Sequence, residues 1–297
     1  MAQRFEFTVS TEQSGRRLDQ VIAAEVERLS RTLTRRVVAA GGVFVDKKRV
    51  KVAGRLLHTG QRVVVHFNEQ LHASPISVAP PEIPIVALST GHVVVDKPSG
   101  MFSAPTPESD RNDLTFALAA QLKKEGLDDE LFVVHRLDRP TSGLMVLART
   151  RSEAAVLSEK MESHTIHRDY LALVLSPTSD AASIDTPIDG RTAKTHFTVL
   201  EQRGPVSLIQ AKLETGRMHQ VRIHAEAWGS PILGDSKYGR SLLRARLREQ
   251  NIHLNSIPRL ALHACRLAWE TSEGVPVTYQ SPLPADLLEF WNQPLKG

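Results

Sequence analysis

Residues 133–150 read VVHRLDRPTSGLMVLART, and the fold turns on how they are parsed. An apolar stretch enters the segment, the polar run from His135 to Gly143 interrupts it, and a second apolar run, 144–148, leaves it. The interruption Arg139-Pro140-Thr141-Ser142-Gly143 has turn chemistry: proline presets φ, and glycine reaches conformations closed to other residues. Asp138 opens that turn. A carboxylate there is either a turn former bonded to its own backbone or a group held by a rigid scaffold where it meets a ligand.

Outward from this segment the chain mixes strands and helices. Strand-like runs fall at 92–96, 131–134, 144–148, 170–175, 196–200, 207–213 and 260–269, and helical patterns at 113–124, 152–162, 219–228 and 241–250. They do not alternate regularly, and no GxGxxG or Walker loop follows any strand, which argues against dinucleotide-binding and P-loop folds. The expected fold is α+β, with a mixed, largely antiparallel sheet. Residues 15–67 read as a separate compact α/β unit. Leu18, Val21, Ile22 and Val26 mark one helix; Leu33, Val37 and Ala40 mark a second, capped by Ser30 and ended by Gly41-Gly42; strands follow at 43–46 and 62–67. Residues 68–88 hold four prolines and few charges, which biases them toward extended backbone. The expected organisation is a small domain at 1–68, a linker at 69–88 and a larger domain at 89–297.

Charge separates the same regions. The 297 residues carry 37 Lys and Arg against 33 Asp and Glu. Residues 1–70 hold 13 of the former and 7 of the latter, an excess of +6, whereas the remainder holds 24 against 26. Arg31, Arg35 and Arg36 lie off the apolar face of the second helix, and Lys47, Lys48, Arg49 and Lys51 crowd the next turn. Cations gathered on one side of a small domain read as a surface for a polyanion such as RNA, or else as a solvated basic face. A single cysteine, Cys265, allows no intramolecular disulfide and reads as a packing residue. His219 and His224 are five apart with no Glu between, unlike a metal-binding HExxH, so no metal site is expected. The polar start MAQRFEFTVS and the absence of an apolar run near ~20 residues lead to the expectation of a soluble, cytoplasmic protein with no membrane partner.

The stretch HRLDRPTSG (135–143) resembles the best-known motif of the RluA-type pseudouridine synthases. Further motifs of that family follow in order. GHVVVDKPSGM (91–101) is similar to the opening of its catalytic domain, HRDYLALV (167–174) to its tyrosine motif, LETGRMHQVRIHAEAWGSPILGDSKYG (213–239) to its third motif, and ALHACRL (261–267) to its late strand. The likeness covers about residues 89–290. The N-terminal unit resembles the small α-L RNA-binding domain of a small-subunit ribosomal protein, an architecture common in the family.

The resemblance implies a cofactor-independent RNA pseudouridine synthase, a monomer acting on structured RNA, with large-subunit ribosomal RNA first among targets and transfer RNA as the alternative. It implies Asp138 as the catalytic carboxylate, Arg222 as its partner and Tyr170 as the aromatic that stacks on the target base. Arg136 matches the family arginine that takes up the space of the flipped nucleotide. Arg217, in the turn before Arg222, is placed to contact RNA phosphate or to support the site, and Asp235 to order it. A non-catalytic RNA-binding protein of the same fold and a uracil-releasing N-glycosidase are the rivals. The chain departs from the family pattern at FSAPT (102–106) and over 176–195.

Overall fold

The computed structural model describes residues 2–39, 41–68, 81–105, 113–128, 130–249, 257 and 259–293. The chain divides into two compact units, with the boundary between Pro81 and Glu82.

In the N-terminal unit, β1 (Ala2–Thr8), β4 (Arg62–Asn68), β2 (Val43–Val45) and β3 (Lys48–Val50) make an antiparallel sheet in that order. The helices α1 (Leu18–Glu25) and α2 (Arg31–Ala39) bury Leu18, Val21, Ile22, Val37 and Val38 in one core with Val43, Val45, Val63 and Val65. α2 begins where expected: the Ser30 hydroxyl accepts the Leu33 N–H at 3.2 Å. It ends at Gly41, whose φ of +79° lets its N–H and that of Gly42 return to the carbonyls of Val38 and Val37. The unit starts earlier than residue 15, because β1 pairs with β4 along its whole length, from Ala2↔Asn68 to Thr8↔Arg62. The two-residue hairpin between β2 and β3 puts both Asp46 (φ 50°) and Lys47 (φ 66°) in the left-handed region. Asp46 is held there by the Arg62 N–H on Oδ1 and the Gln61 amide on Oδ2.

The larger unit is built on one ten-stranded sheet. Its strands are β5 (Ile85–Leu88), β6 (His92–Lys97), β7 (Phe132–Val133), β8 (Ser142–Ala148), β9 (His167–Leu175), β10 (Ala181–Ile184), β11 (Thr195–Arg203), β12 (Val206–Leu213), β13 (Leu262–Glu270) and β14 (Pro276–Gln280). The order is β10-β11-β12-β9-β13-β8-β6-β5, with β14 on β13 and β7 on β8. Every pairing is antiparallel except β8 with β13. The helices are α3 (Leu114–Lys124), α4 (Arg151–Glu162), α5 (Gln220–Ala227), α6 (Arg240–Glu249) and α7 (Ala285–Asn292). The α+β class and the largely antiparallel sheet are those the sequence indicates.

Residues 69–80 of the expected linker lie outside the described residues, and the last four belong to the sheet instead. Pro84 directly precedes β5, a position where its missing N–H removes no ladder bond, and Ile85, Ala87 and Leu88 pair with Val95, Val94 and Val93. The sheet therefore starts inside the proline-rich stretch. Among the described residues no helix is long and apolar enough to cross a membrane.

Candidate active site

The turn at 138–141 closes through the Thr141 N–H on the Asp138 carbonyl at 3.0 Å, and β8 leaves from it. Gly143, with φ +118°, sits against β13, and a Cβ there would collide with the backbone N and O of Ala264. This glycine lets β8 make the sheet's parallel contact, Ser142 opposite His263 and Gly143 opposite Ala264. Beneath it Ser142 Oγ bonds His263 Nδ1 at 2.9 Å, His263 Nε2 bonds Ser281 Oγ at 3.0 Å, and Ser281 donates to Asp96. A buried polar chain thus pins the start of β8 to β13 and β6.

The segment after β6 braces the turn from the other side. Lys97 is fully buried, and its ammonium donates to the carbonyls of Pro98 (3.0 Å), Met101 (2.9 Å) and Arg139 (3.4 Å). Burial pushes its pKa down to about 7, against the pull of the Asp138 carboxylate. The Gly100 N–H donates to the Arg139 carbonyl, and Ser99 to that of Pro140. Ser103 both donates to the Leu137 carbonyl and accepts the Leu137 N–H. His135 accepts the Val146 N–H through Nε2, and burial, aided by the Arg168 charge, drives its pKa down to about 3. It is a neutral acceptor of the scaffold.

Asp138 is held by one arginine, and that arginine is held by another carboxylate. Arg222 on α5 donates from Nη1 to Asp138 Oδ2 at 2.9 Å. Its other edge makes a fork on Asp235, Nε to Oδ2 at 2.7 Å and Nη2 to Oδ1 at 2.8 Å. Asp235 also accepts the N–H groups of Lys237 and Tyr238. Side-chain exposure grades along the relay, from 1% at Asp235 and 7% at Arg222 to 21% at Asp138. Burial alone would lower the Arg222 pKa, but its two carboxylate partners raise it above the ordinary guanidinium range. For Asp235 burial acts to raise the pKa, and the Arg222 bonds and backbone donors overcome it, leaving it below the usual carboxylate range.

Oδ1 of Asp138 faces His219, whose Nε2 is 3.8 Å away. His219 precedes α5 in the left-handed conformation (φ 59°), and its Nδ1 shares a 2.8 Å hydrogen bond with the Tyr238 hydroxyl. Burial lowers its pKa, more than the Asp138 charge raises it. The Tyr238 ring lies under the Arg222 guanidinium, 5.0 Å from its carbon.

Tyr170 lies on β9 between Ala211 of β12 and Ala264 of β13. The residue is 8% exposed and belongs to the core of this unit. Burial raises its pKa, with Arg168 opposing and Asp138 adding to the effect.

Asp138, Arg222 and Tyr170 are thus brought into one neighbourhood. Arg136 is exposed two residues before Asp138. Arg217 is half-buried, and its Nε donates to the Thr192 carbonyl at 2.9 Å. The departing segment 176–195 embraces the start of α5. His224 bonds Thr186 O and Thr195 Oγ1, and Gln220 bonds Lys194 O and Thr195 Oγ1. Cys265 packs in β13 with its thiol pushed up to about 12 by burial. Sequence reasoning missed the parts played by Lys97 and Tyr238 and passed over His219 as a turn residue. Their signals were the KPSGM and GDSKYG motifs and the HQ pair before Arg222.

In the N-terminal unit, Lys47, Lys48 and Arg49 are exposed, with Arg49 over the Phe44 ring at 5.2 Å. Arg31 and Arg35 instead turn toward Asp19, which is fully buried on α1. Arg35 Nε is 2.7 Å and Arg31 Nη2 3.7 Å from Asp19 Oδ2, and Arg17 Nε donates to Oδ1 at 3.0 Å. The reason is that a carboxylate buried between two helices requires cations. Arg36 is half-buried beside them.

The model of the RNA pseudouridylate synthase family matches residues 91–227. The ribosomal large subunit pseudouridine synthase D of Xanthomonas campestris is 32% identical over 295 residues, spanning 92% of this chain and 87% of that protein. An uncharacterized RNA pseudouridine synthase of Bacillus subtilis is 32% identical over 306 residues, 97% of each chain. The structure of human RNA pseudouridylate synthase domain containing 4 shares the fold at TM-score 0.58 and 24% identity, over 69% of this chain and 90% of that one. These likenesses define the class of protein as an enzyme that modifies uridine in RNA. The chain belongs to the RNA pseudouridylate synthase family and is an RNA pseudouridine synthase, as the motif resemblance implies.

Proposed function

We propose that this chain isomerises uridines of large-subunit ribosomal RNA, using Asp138 on a nucleotide flipped out of the stack. The names of its relatives in Xanthomonas campestris and Pseudomonas aeruginosa support the target. The observation that carries the mechanism is the division of labour between the two oxygens of Asp138. Oδ2 is occupied by Arg222 Nη1, which leaves Oδ1 as the oxygen for the substrate. Isomerisation breaks the N1–C1′ bond, turns the base and joins C5 to C1′, while the proton on C5 leaves and N1 gains one. Attack at C1′, removal of the 2′ proton and addition to C6 all require an ionised carboxylate with a free lone pair. Arg222 holds Asp138 through Oδ2, and Asp235 keeps Arg222 aimed. Tyr170 stacks on the uracil, a contact that tolerates rotation of the base and is worth ~1–3 kcal/mol. Flipping exposes a glycosidic bond that is inaccessible within stacked RNA, and exposed Arg136 fills the gap.

Residues 1–68 hold the RNA through their exposed cations Lys47, Lys48 and Arg49, with Arg36 and the outer edge of Arg31 adding to them. Arg35 serves this surface by supporting it, and Arg217 supports α5.

The test is to map pseudouridine in ribosomal and transfer RNA from cells with and without this protein, with free uracil assayed on the purified enzyme. Loss of specific large-subunit sites without uracil release is expected. Loss confined to transfer RNA would overturn the target, and released uracil would overturn the isomerisation.

A further inference from the structure

α6 carries the sequence RSLLRARLRE, with four arginines in ten residues, on a unit that has no overall positive excess. Its exposure is periodic. Arg240, Ser241, Arg244, Ala245, Arg248 and Glu249 are exposed, whereas Leu242, Leu243, Arg246 and Leu247 are half-buried. Arg240, Arg244 and Arg248 therefore form one stripe with steps of about 6 Å along the axis. Arg246 points away from it and lines a cleft with Leu175, Pro177, Gln202 and Pro205.

No described residue neutralises these charges: none of the four arginines makes an ion pair or a side-chain hydrogen bond. Like charges four residues apart oppose helix formation, and a cation at Arg240 opposes the positive end of the helix dipole. Arg248 gains from the negative end of the helix dipole, but Arg240 and the like-charge spacing carry a cost that no described side chain offsets, as expected of a surface completed by a polyanion. Its position says which one. α6 starts two residues after Tyr238, the tyrosine bonded to His219 and lying under Arg222. The Gly239 N–H donates to Glu226 Oε1 of α5 at 2.7 Å, fixing the helix start to the element that carries Arg222. Exposed Lys237 continues the line inward, 5.0 Å over the Tyr238 ring. The cations thus begin at Lys237, beside the Tyr238 ring that lies under Arg222, and continue along α6.

We propose that Arg240, Arg244 and Arg248 bind successive phosphates of the RNA strand flanking the target uridine, and so set the direction in which that strand leaves the site. This rests on RNA being the substrate and adds a second contact surface, on the catalytic unit itself, to the basic N-terminal one.

The experiment measures binding of a 20-nucleotide oligouridylate to the full chain against salt. It compares wild type, the triple variant Arg240→Gln/Arg244→Gln/Arg248→Gln, the same three changed to Lys, and Arg246→Gln. Each lost phosphate contact removes about 0.7 from the log–log slope, so the triple Gln variant should lose about 2 and bind about tenfold or more weakly at 0.15 M salt. Arg246→Gln should match wild type. The Lys triple should recover most of the slope, because Lys binds phosphate as a point charge. An unchanged slope in the Gln triple, or an equal loss in Arg246→Gln, overturns the stripe. Failure of the Lys triple to recover, with helicity lost in circular dichroism, assigns the arginines to folding and equally overturns it. Wild type binding without salt dependence would instead break the RNA reading itself.

Discussion

Each unit of this enzyme buries a carboxylate among arginines, and the two arrangements serve opposite ends. In the N-terminal unit Asp19 is fully enclosed and faces three cations, Arg17, Arg31 and Arg35. In the catalytic unit one arginine, Arg222, serves two carboxylates, and the outer one, Asp138, keeps an oxygen clear of it. Surplus cations bond both oxygens of Asp19 and make a structural knot. A shared cation bonds one oxygen of the outer carboxylate and leaves the other clear of it. Stoichiometry and exposure, more than residue type, separate scaffold from site.

The comparison breaks most sharply at Asp138. Asp138→Asn keeps size and a hydrogen-bond acceptor for Arg222 but removes the anion, so turnover should fall by about 10²–10⁴-fold or more. Melting temperature and RNA affinity should stay near wild type. A tenth of wild-type turnover, measured as tritium release from C5-labelled uridine in RNA, would defeat the assignment.

Asp235→Asn tests the relay one step back. Arg222 loses the charged half of its fork, and misplacement of Nη1 by an ångström is enough to cost about 10²-fold in turnover. The loss should fall in kcat, with KM little changed, because Asp235 is too buried to meet RNA. A KM effect alone would show that Arg222 is held without it.

Asp19→Asn should move turnover least and stability most. Three arginines then face a neutral amide, and the N-terminal unit should lose about 3 kcal/mol in denaturant titrations. Turnover on a short, saturating RNA should stay within twofold. For wild-type Asp19, burial acts to raise the pKa, and the bonds from Arg17 and Arg35 outweigh it, leaving it below its ordinary value near 3.8. Its stabilisation is therefore complete above that value and disappears as pH falls through the lower folded one. Wild type and variant should differ at pH 7 and converge in acid below about pH 4. Curves that stay parallel would mean that Asp19 is protonated or unpaired.

The sequence told more about the strands than about the partners. HVVVD, LMVLA and SLIQAKL are apolar enough to announce β6, β8 and β12, and the helix readings at 113–124 and 152–162 fall within a residue of α3 and α4. β5 escaped because Pro80, Pro81 and Pro84 mask a strand whose own residues only half bury. β1 escaped because its alternation, Phe5 and Phe7, is confined to seven residues. At the site, Asp138 was visible through its turn and motif. What was hidden was geometry across distance: Arg35 meets a carboxylate 16 residues away on another helix, and His219 reaches Asp138 by adopting a backbone conformation that no side-chain pattern encodes. Single-residue chemistry can be read locally, whereas the sharing of one arginine by two carboxylates is a property of the assembled sheet.

The contact at Gly143 carries a consequence for biosynthesis. Ser142 and His263 are 121 residues apart, and Asp138 and Arg222 are 84 apart. The Asp138 turn cannot be fastened until nearly the whole chain has left the ribosome, whereas the first 68 residues contain their own sheet. A nascent chain thus carries a finished basic module while β8, already able to pair with β6, still lacks β13 and exposes an apolar edge. Messages truncated before residue 262 should yield aggregates, and chains stalled at the same point should be bound by chaperones.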